Sequence, residues 1–144
     1  MLHVTRLLAA ILLVLLPMGI AGADNYFPTN PYQARFCAGL ETHFRPENAW
    51  RVDCVSSTNA IVVEYQDYWR EAVGQALVLA TERGLKPGIV LVCRNDEGHC
   101  IKASERIEAT FAHFAVPLTL WECMVISPAL GDCVRRECGP GGCV

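Results

Sequence analysis

Apolar positions recur at helical spacing most clearly over 68–83. There Trp69, Ala72, Val73, Ala76, Leu77 and Ala80 share one face of a 3.6-residue period. The pattern predicts an amphipathic helix that buries Trp69, Val73, Ala76 and Leu77 against a sheet. Asp67 stands where an N-cap would accept the first N–H groups, Arg83 lies in the last turn, and Gly84 follows as a stop. Ile107, Phe111 and Phe114 predict a second such helix over 103–115, ended by Pro117. Phe36 and Leu40, four apart, predict a short one over 32–40.

Between the helices the pattern changes to that of strands. Residues 60–66 are rich in β-branched side chains, and 89–93 are apolar without alternation, as in a strand covered on both faces. Shorter strands are predicted over 41–45, 50–55 and 118–121. Turns are predicted at Pro46-Glu47-Asn48, at 56–59 and at Lys86-Pro87-Gly88, with a charged loop over 94–98. From Ser127 onward Gly, Pro and Cys recur, and no regular structure is predicted. The order is helix, three strands, helix, strand, helix, strand. It implies an α/β (mixed α+β) fold: one mixed sheet in αβββαβ order, helices on both faces and a Cys-rich C-terminal tail.

The start of the chain follows another pattern. Arg6 lies at the base of an apolar run to Leu16, Pro17 and Gly19 break it, and Ala21-Gly22-Ala23 offers an A-x-A cleavage site. This reads as a secretory signal peptide over 1–23. Its removal would leave 121 of the 144 residues, enough for one core. That portion divides into a polar lead-in over 24–31, a domain over 32–123 and a tail over 124–144. No later run approaches the roughly 20 apolar residues of a membrane helix, so the expected product is exported, periplasmic or secreted, without a membrane anchor.

Charge and cysteine content narrow the chemistry. Without Arg6 the chain carries 11 basic and 15 acidic residues, a net of −4. This argues against a broad basic nucleic-acid surface and leaves room only for a local patch. All eight Cys lie beyond the leader, and an even count in an exported chain predicts disulfides. Cys93 and Cys100 are the best local pair, and pairing among Cys123, Cys133, Cys138 and Cys143 would staple the tail. A metal cluster of Cys93, His99 and Cys100 fits no familiar zinc spacing, and in an oxidising compartment a disulfide is the stronger reading.

Two carboxylates fall inside predicted strands, where charge is depleted: Asp53 and Glu64. A tight turn between the strands sets Asp53 opposite Val62 or Glu64. By period-two alternation Val62, Glu64 and Gln66 share one side. Two such acids side by side would suit a divalent cation. The alternative is a solvated face, or pairing of Glu64 with Arg51.

The segments Arg51-Val52-Asp53-Cys54, Asn59-Ala60-Ile61, Trp69-Arg70-Glu71-Ala72-Val73-Gly74-Gln75-Ala76-Leu77 and Lys86-Pro87-Gly88-Ile89-Val90-Leu91 resemble a family of small bacterial PD-(D/E)XK nuclease-like proteins. The resemblance covers about residues 32–93. It implies a restriction endonuclease-like domain with Mg²⁺ or Mn²⁺ held by Asp53 and Glu64, and by Glu41 before the hairpin. It implies that Gln66 occupies the position of the family's Lys and orients water, and that Gln75 reaches the substrate. The sequence departs from the family at Val62, where an acid is expected, and at Gln66 and Tyr68, where Lys is expected. A neutral Gln supplies no positive charge to a developing oxyanion. Two functions follow as expectations: an exported metal-dependent nuclease or phosphodiesterase acting on nucleic acid, or an inactive nuclease-fold domain that binds a protein partner.

Overall fold

A computed structural model describes residues 31–42, 54–94 and 97–144. The proposed leader, the lead-in up to residue 30, the turn at Pro46 and the strand positions 43–45 and 50–53, Asp53 among them, lie outside the described residues.

The described elements are α1 (Pro31–Phe36), β1 (Cys54–Val55), β2 (Asn59–Tyr65), α2 (Trp69–Arg83), β3 (Lys86–Cys93), α3 (Glu97–His113), β4 (Leu118–Met124), β5 (Val134–Gly139) and β6 (Gly142–Cys143). A 3₁₀ turn, Gln66–Tyr68, leads into α2, and a second, Leu130–Asp132, precedes β5. The strands form one six-stranded sheet in the order β1-β2-β3-β4-β5-β6. β2, β3 and β4 run parallel, and the outer pairs β1–β2, β4–β5 and β5–β6 are antiparallel. Backbone bonds at 3.2 and 2.7 Å bridge Glu41 to Val55, so the first expected strand is represented by this bridge. The mixed sheet with helices on both faces is the architecture that the hydrophobic pattern implies.

Strand alternation splits the core in two. Ala60, Val62, Ile89, Leu91, Leu118 and Leu120 point to α2 and α3, where Ala72, Ala76, Leu79, Ile107 and Phe111 meet them. Ile61, Val63, Val90, Val92, Trp121 and Cys123 point the other way, toward Phe36, Cys37 and Cys54. The parallel strands are therefore covered on both sides, as their unbroken apolar runs require. All eight Cys are paired, Cys37–Cys54, Cys93–Cys100, Cys123–Cys133 and Cys138–Cys143, which bears out the expected local pair and the stapled tail.

Several local expectations are corrected. Lys86-Pro87-Gly88 does not turn the chain; it opens β3, and the reversal falls at Gly84, whose φ of 63° glycine adopts without strain. Pro87 donates nothing to the sheet, while its carbonyl accepts from Asn59 Nδ2 at 3.4 Å. Gly88 is needed because a Cβ there would lie 3.0 Å from Ile61 Cγ1 and 3.2 Å from Trp121 Cζ3. Second, the buried face of α2 is Ala72, Ala76, Leu79 and Ala80; Trp69, Val73 and Leu77 pack at its margin, half-buried. Asp67 does not cap this helix: it lies in the preceding turn, 3.9 Å from Arg94.

Third, α3 begins at Glu97, two turns earlier than predicted. Cys100 and Ala103 extend the buried row of Ile107 and Phe111, while Phe114 is 68% exposed. Fourth, the tail is not irregular. It returns to the sheet as β5 and β6, held by register with β4, by two disulfides and by ion pairs.

Candidate functional site

The carboxyl end of β2 carries two of the sequence-predicted polar residues, Glu64 and Gln66. Glu64 follows Ala60 and Val62 along the helix-facing side of β2 and is half-buried; its Oε1 accepts the Tyr65 N–H at 3.0 Å. Gln66 is 5% exposed, and its Oε1 accepts the Arg94 N–H at 3.0 Å, which ties the end of β2 to the end of β3. The structure does not bring Glu41 to this place. Glu41 is bridged to Val55, which pairs with Ala60, and Ala60 lies four residues, roughly 13 Å, from Glu64 along β2. Gln75 is half-buried six residues into α2 beyond Trp69, outside the groove described next. Asp53 lies outside the described residues.

A groove of about 340 Å³ opens beside Gln66. Gln66, Asp67 and Trp69 form one wall, and His99, Lys102, Ala103 and Arg106 of α3 form the other. The α3 residues recur at intervals of three and four because those positions share one face of a helix. Ala103 is the buried root of that face, and the longer side chains rise around it. The Cys93–Cys100 disulfide fixes the first turns of α3 to the end of β3. Among the described residues Lys102 and Arg106 make no salt bridge; the Arg106 guanidinium lies 5.8 Å from the Trp69 ring centroid, and Arg70 lies 4.6 Å from the same ring. Arg94 adds a further cation nearby, 4.2 Å from the Tyr65 ring and paired with Asp67. The site is locally basic in a chain whose net charge is −3.

The described donors do not make up a divalent-metal site at this end. Glu64 is a single strand-borne carboxylate, whereas such ions take several oxygen ligands, and Gln66 has committed its oxygen to Arg94. Glu122, which sequence reasoning passed over, shares the row of Glu64, since both pair with Leu91. The buried Leu91 stands between them, and Glu122 Oε2 accepts from Arg136 at 2.5 Å. Arg136 also binds Glu108 of α3. Elsewhere Glu108, Cys138 and Cys143 converge within 4.8 Å. Both sulfurs belong to one disulfide, so neither offers the thiolate a metal needs.

The opposite end of the parallel strands holds a closed polar row. Asn59 and Thr119 are 3% and 0% exposed. Asn59 Nδ2 donates to Thr119 Oγ1 at 3.0 Å, Thr119 Oγ1 donates to Glu137 Oε2 at 3.0 Å, and Lys86 Nζ reaches the same oxygen at 2.6 Å. Arg135 binds the other carboxylate oxygen of Glu137. Burial opposes ionisation of Glu137. The hydrogen bonds from Lys86 and Thr119, the Lys86 charge and the Arg135 bond outweigh it and hold its pKa below the ordinary 4.5.

No family model, curated protein or solved structure matches the chain. Among the described residues no helix is long and apolar enough to cross a membrane.

Sequence reasoning reached Gln66 and Glu64 but missed the basic wall. A second helix that starts at residue 103 leaves His99 and Lys102 outside it, so the apolar pattern does not show the face they share with Arg106. Counting Cys100 as a buried apolar position would have extended the period and exposed it. The helical period makes Trp69 a core residue; in the structure it packs on the core with one side and lines the groove with another.

Proposed function

We propose that this chain is an exported domain that binds a phosphate-bearing polyanion at the carboxyl end of β2, on a scaffold of the PD-(D/E)XK nuclease-like kind. The observation that carries the reading is the groove in which Lys102 and Arg106 rise from one face of α3 toward Gln66 and Trp69. Ligands of open parallel sheets settle at the carboxyl ends of the strands. A guanidinium and an ammonium with no carboxylate partner among the described residues favour phosphate oxygens. Export is supported by the leader-like start of the sequence and by four disulfides with no free thiol.

Calorimetric titration with inorganic polyphosphate tests the binding. Binding at low salt should weaken as salt rises, and the Lys102→Gln/Arg106→Gln variant should lose at least about tenfold in affinity. No binding at low salt, or an unaffected variant, rejects the reading. Mass spectrometry of the exported protein tests the leader, with an N-terminus at Asp24 expected.

One observation favours a second reading, metal-dependent cleavage of a phosphodiester. Glu64 lies on the helix-facing side of β2, two residues before Gln66 of the groove wall. The resemblance adds Asp53 as its partner acid. Cleavage of a labelled nucleic acid with Mg²⁺ or Mn²⁺, abolished by Glu64→Gln, would support this reading. A protein that binds and does not cut leaves the binding domain.

A further inference from the structure

We infer that the occupant of this groove is a single-stranded nucleic acid, held by its phosphates along α3 and by a base against Trp69. The inference rests on the polyanion reading above and names the polymer.

His99, Lys102 and Arg106 follow one another on one side of α3, and at 1.5 Å of rise per residue they span roughly 10 Å. That is enough for about two or three phosphates of one flexible strand. A duplex places its two backbones on either side of a groove about 12 Å wide and would need cations beyond this row.

The chain has 15 acidic against 12 basic residues and a pI near 5.8. Duplex-binding surfaces are broadly basic, so a long rigid duplex would lay acidic surface against its own phosphates. A short strand in the groove would meet Lys102 and Arg106, and the carboxylate of the lining, Asp67, is already paired with Arg94.

An indole lining a basic groove is the element that distinguishes nucleic-acid strands from inorganic or sugar-borne anions, because every base presents a face for stacking. Trp69 is packed from beneath by the core and contacted by Arg70 and Arg106. The Arg106 contact, 5.8 Å from the ring centroid, is near the outer limit of such interactions. A small movement of this flexible side chain admits a planar base while its charge stays with the neighbouring phosphate. Gln66, with its oxygen fixed by Arg94, offers its amide N–H groups as donors beside that base.

Fluorescence anisotropy with a labelled oligothymidylate of about 12 nucleotides, and with a duplex of the same length, tests this. The single strand should bind at least about tenfold tighter than the duplex. Trp69→Leu should weaken it about fivefold or more, and Trp69→Phe should retain most of the affinity. The circular dichroism spectrum of each variant shows whether it has folded. Equal or tighter duplex binding overturns the inference, as does unchanged affinity in a folded Trp69→Leu protein. Binding of polyphosphate without either oligonucleotide overturns the inference and keeps the polyanion reading. Binding of none of the three overturns both.

Discussion

At the amino end of β2, β3 and β4, Asn59, Thr119, Lys86 and Glu137 join strand to strand in one hydrogen-bonded row. At the carboxyl end, Lys102 and Arg106 face a groove and make no salt bridge among the described residues. The difference follows from exposure. Asn59 and Thr119 are out of reach of water, and a buried polar group without a partner is costly. Lys102 and Arg106 are exposed and are hydrated at little cost, so they need no internal partner. One end thus spends its polar groups on holding β2 to β5 together; the other keeps its charges available to a ligand.

The largest effect belongs to the layer beneath both ends. Leu79 is 2% exposed in the core under α2 and α3, and Leu79→Ala should cost about 2–5 kcal/mol in thermal or denaturant unfolding. Leu77→Ala, at the margin, should cost clearly less. Equal losses would mean that the helix face is wrongly placed.

Thr119→Val should come next. It preserves shape but leaves the Asn59 amide and a Glu137 oxygen without their hydroxyl, at about 1–3 kcal/mol. A similar loss, about 1–3 kcal/mol, is expected for Gly88→Ala, whose Cβ would press on Ile61 and Trp121. If Thr119→Val unfolds at the wild-type denaturant midpoint, the closed row does not carry the stability assigned to it; if Gly88→Ala does, the close approach of Ile61 and Trp121 to β3 relaxes without cost.

Acid should distinguish the ends more gently. The folded pKa of Glu137 lies below its ordinary value. Its contribution is therefore present above the ordinary 4.5 and is lost as pH falls through the lower, folded value. The Glu137 side chain is 39% exposed, so solvent screening keeps the effect modest. Melting temperatures recorded from about pH 6 down to about pH 2 should fall less steeply in Glu137→Gln than in the wild type. Parallel curves would remove Glu137 from the account.

The smallest effect on stability should come from the groove. Lys102→Gln/Arg106→Gln should stay within about 0.5 kcal/mol of wild type, although its ligand affinity falls. A marked loss of stability would show that these cations serve the fold after all.

Much of the architecture was legible because burial leaves a periodic trace. The unbroken apolar run of β3 announced a covered parallel strand, the spacing from Trp69 to Ala80 announced α2, and the short loop between Cys93 and Cys100 announced their bond. Other parts leave no such trace. β5 reads Val-Arg-Arg-Glu-Cys-Gly, and nothing in that string marks a strand. Arg136 is on the helix-facing side because the register sets it opposite Leu120, and there Glu122 and Glu108 neutralise it.

The same division applies to function. The sequence by itself determined which segments are apolar, at what period, and where the eight Cys stand along the chain; these properties are local and survive in the unfolded chain. Only the tertiary structure decided that Gln66 ties two strand ends together, that Glu41 and Glu64 lie apart, and that Trp69 faces Lys102 and Arg106 across a groove. Each of those facts depends on residues about 20 to 40 positions apart in the chain. Strand register and helix packing, rather than any local preference, set such distances.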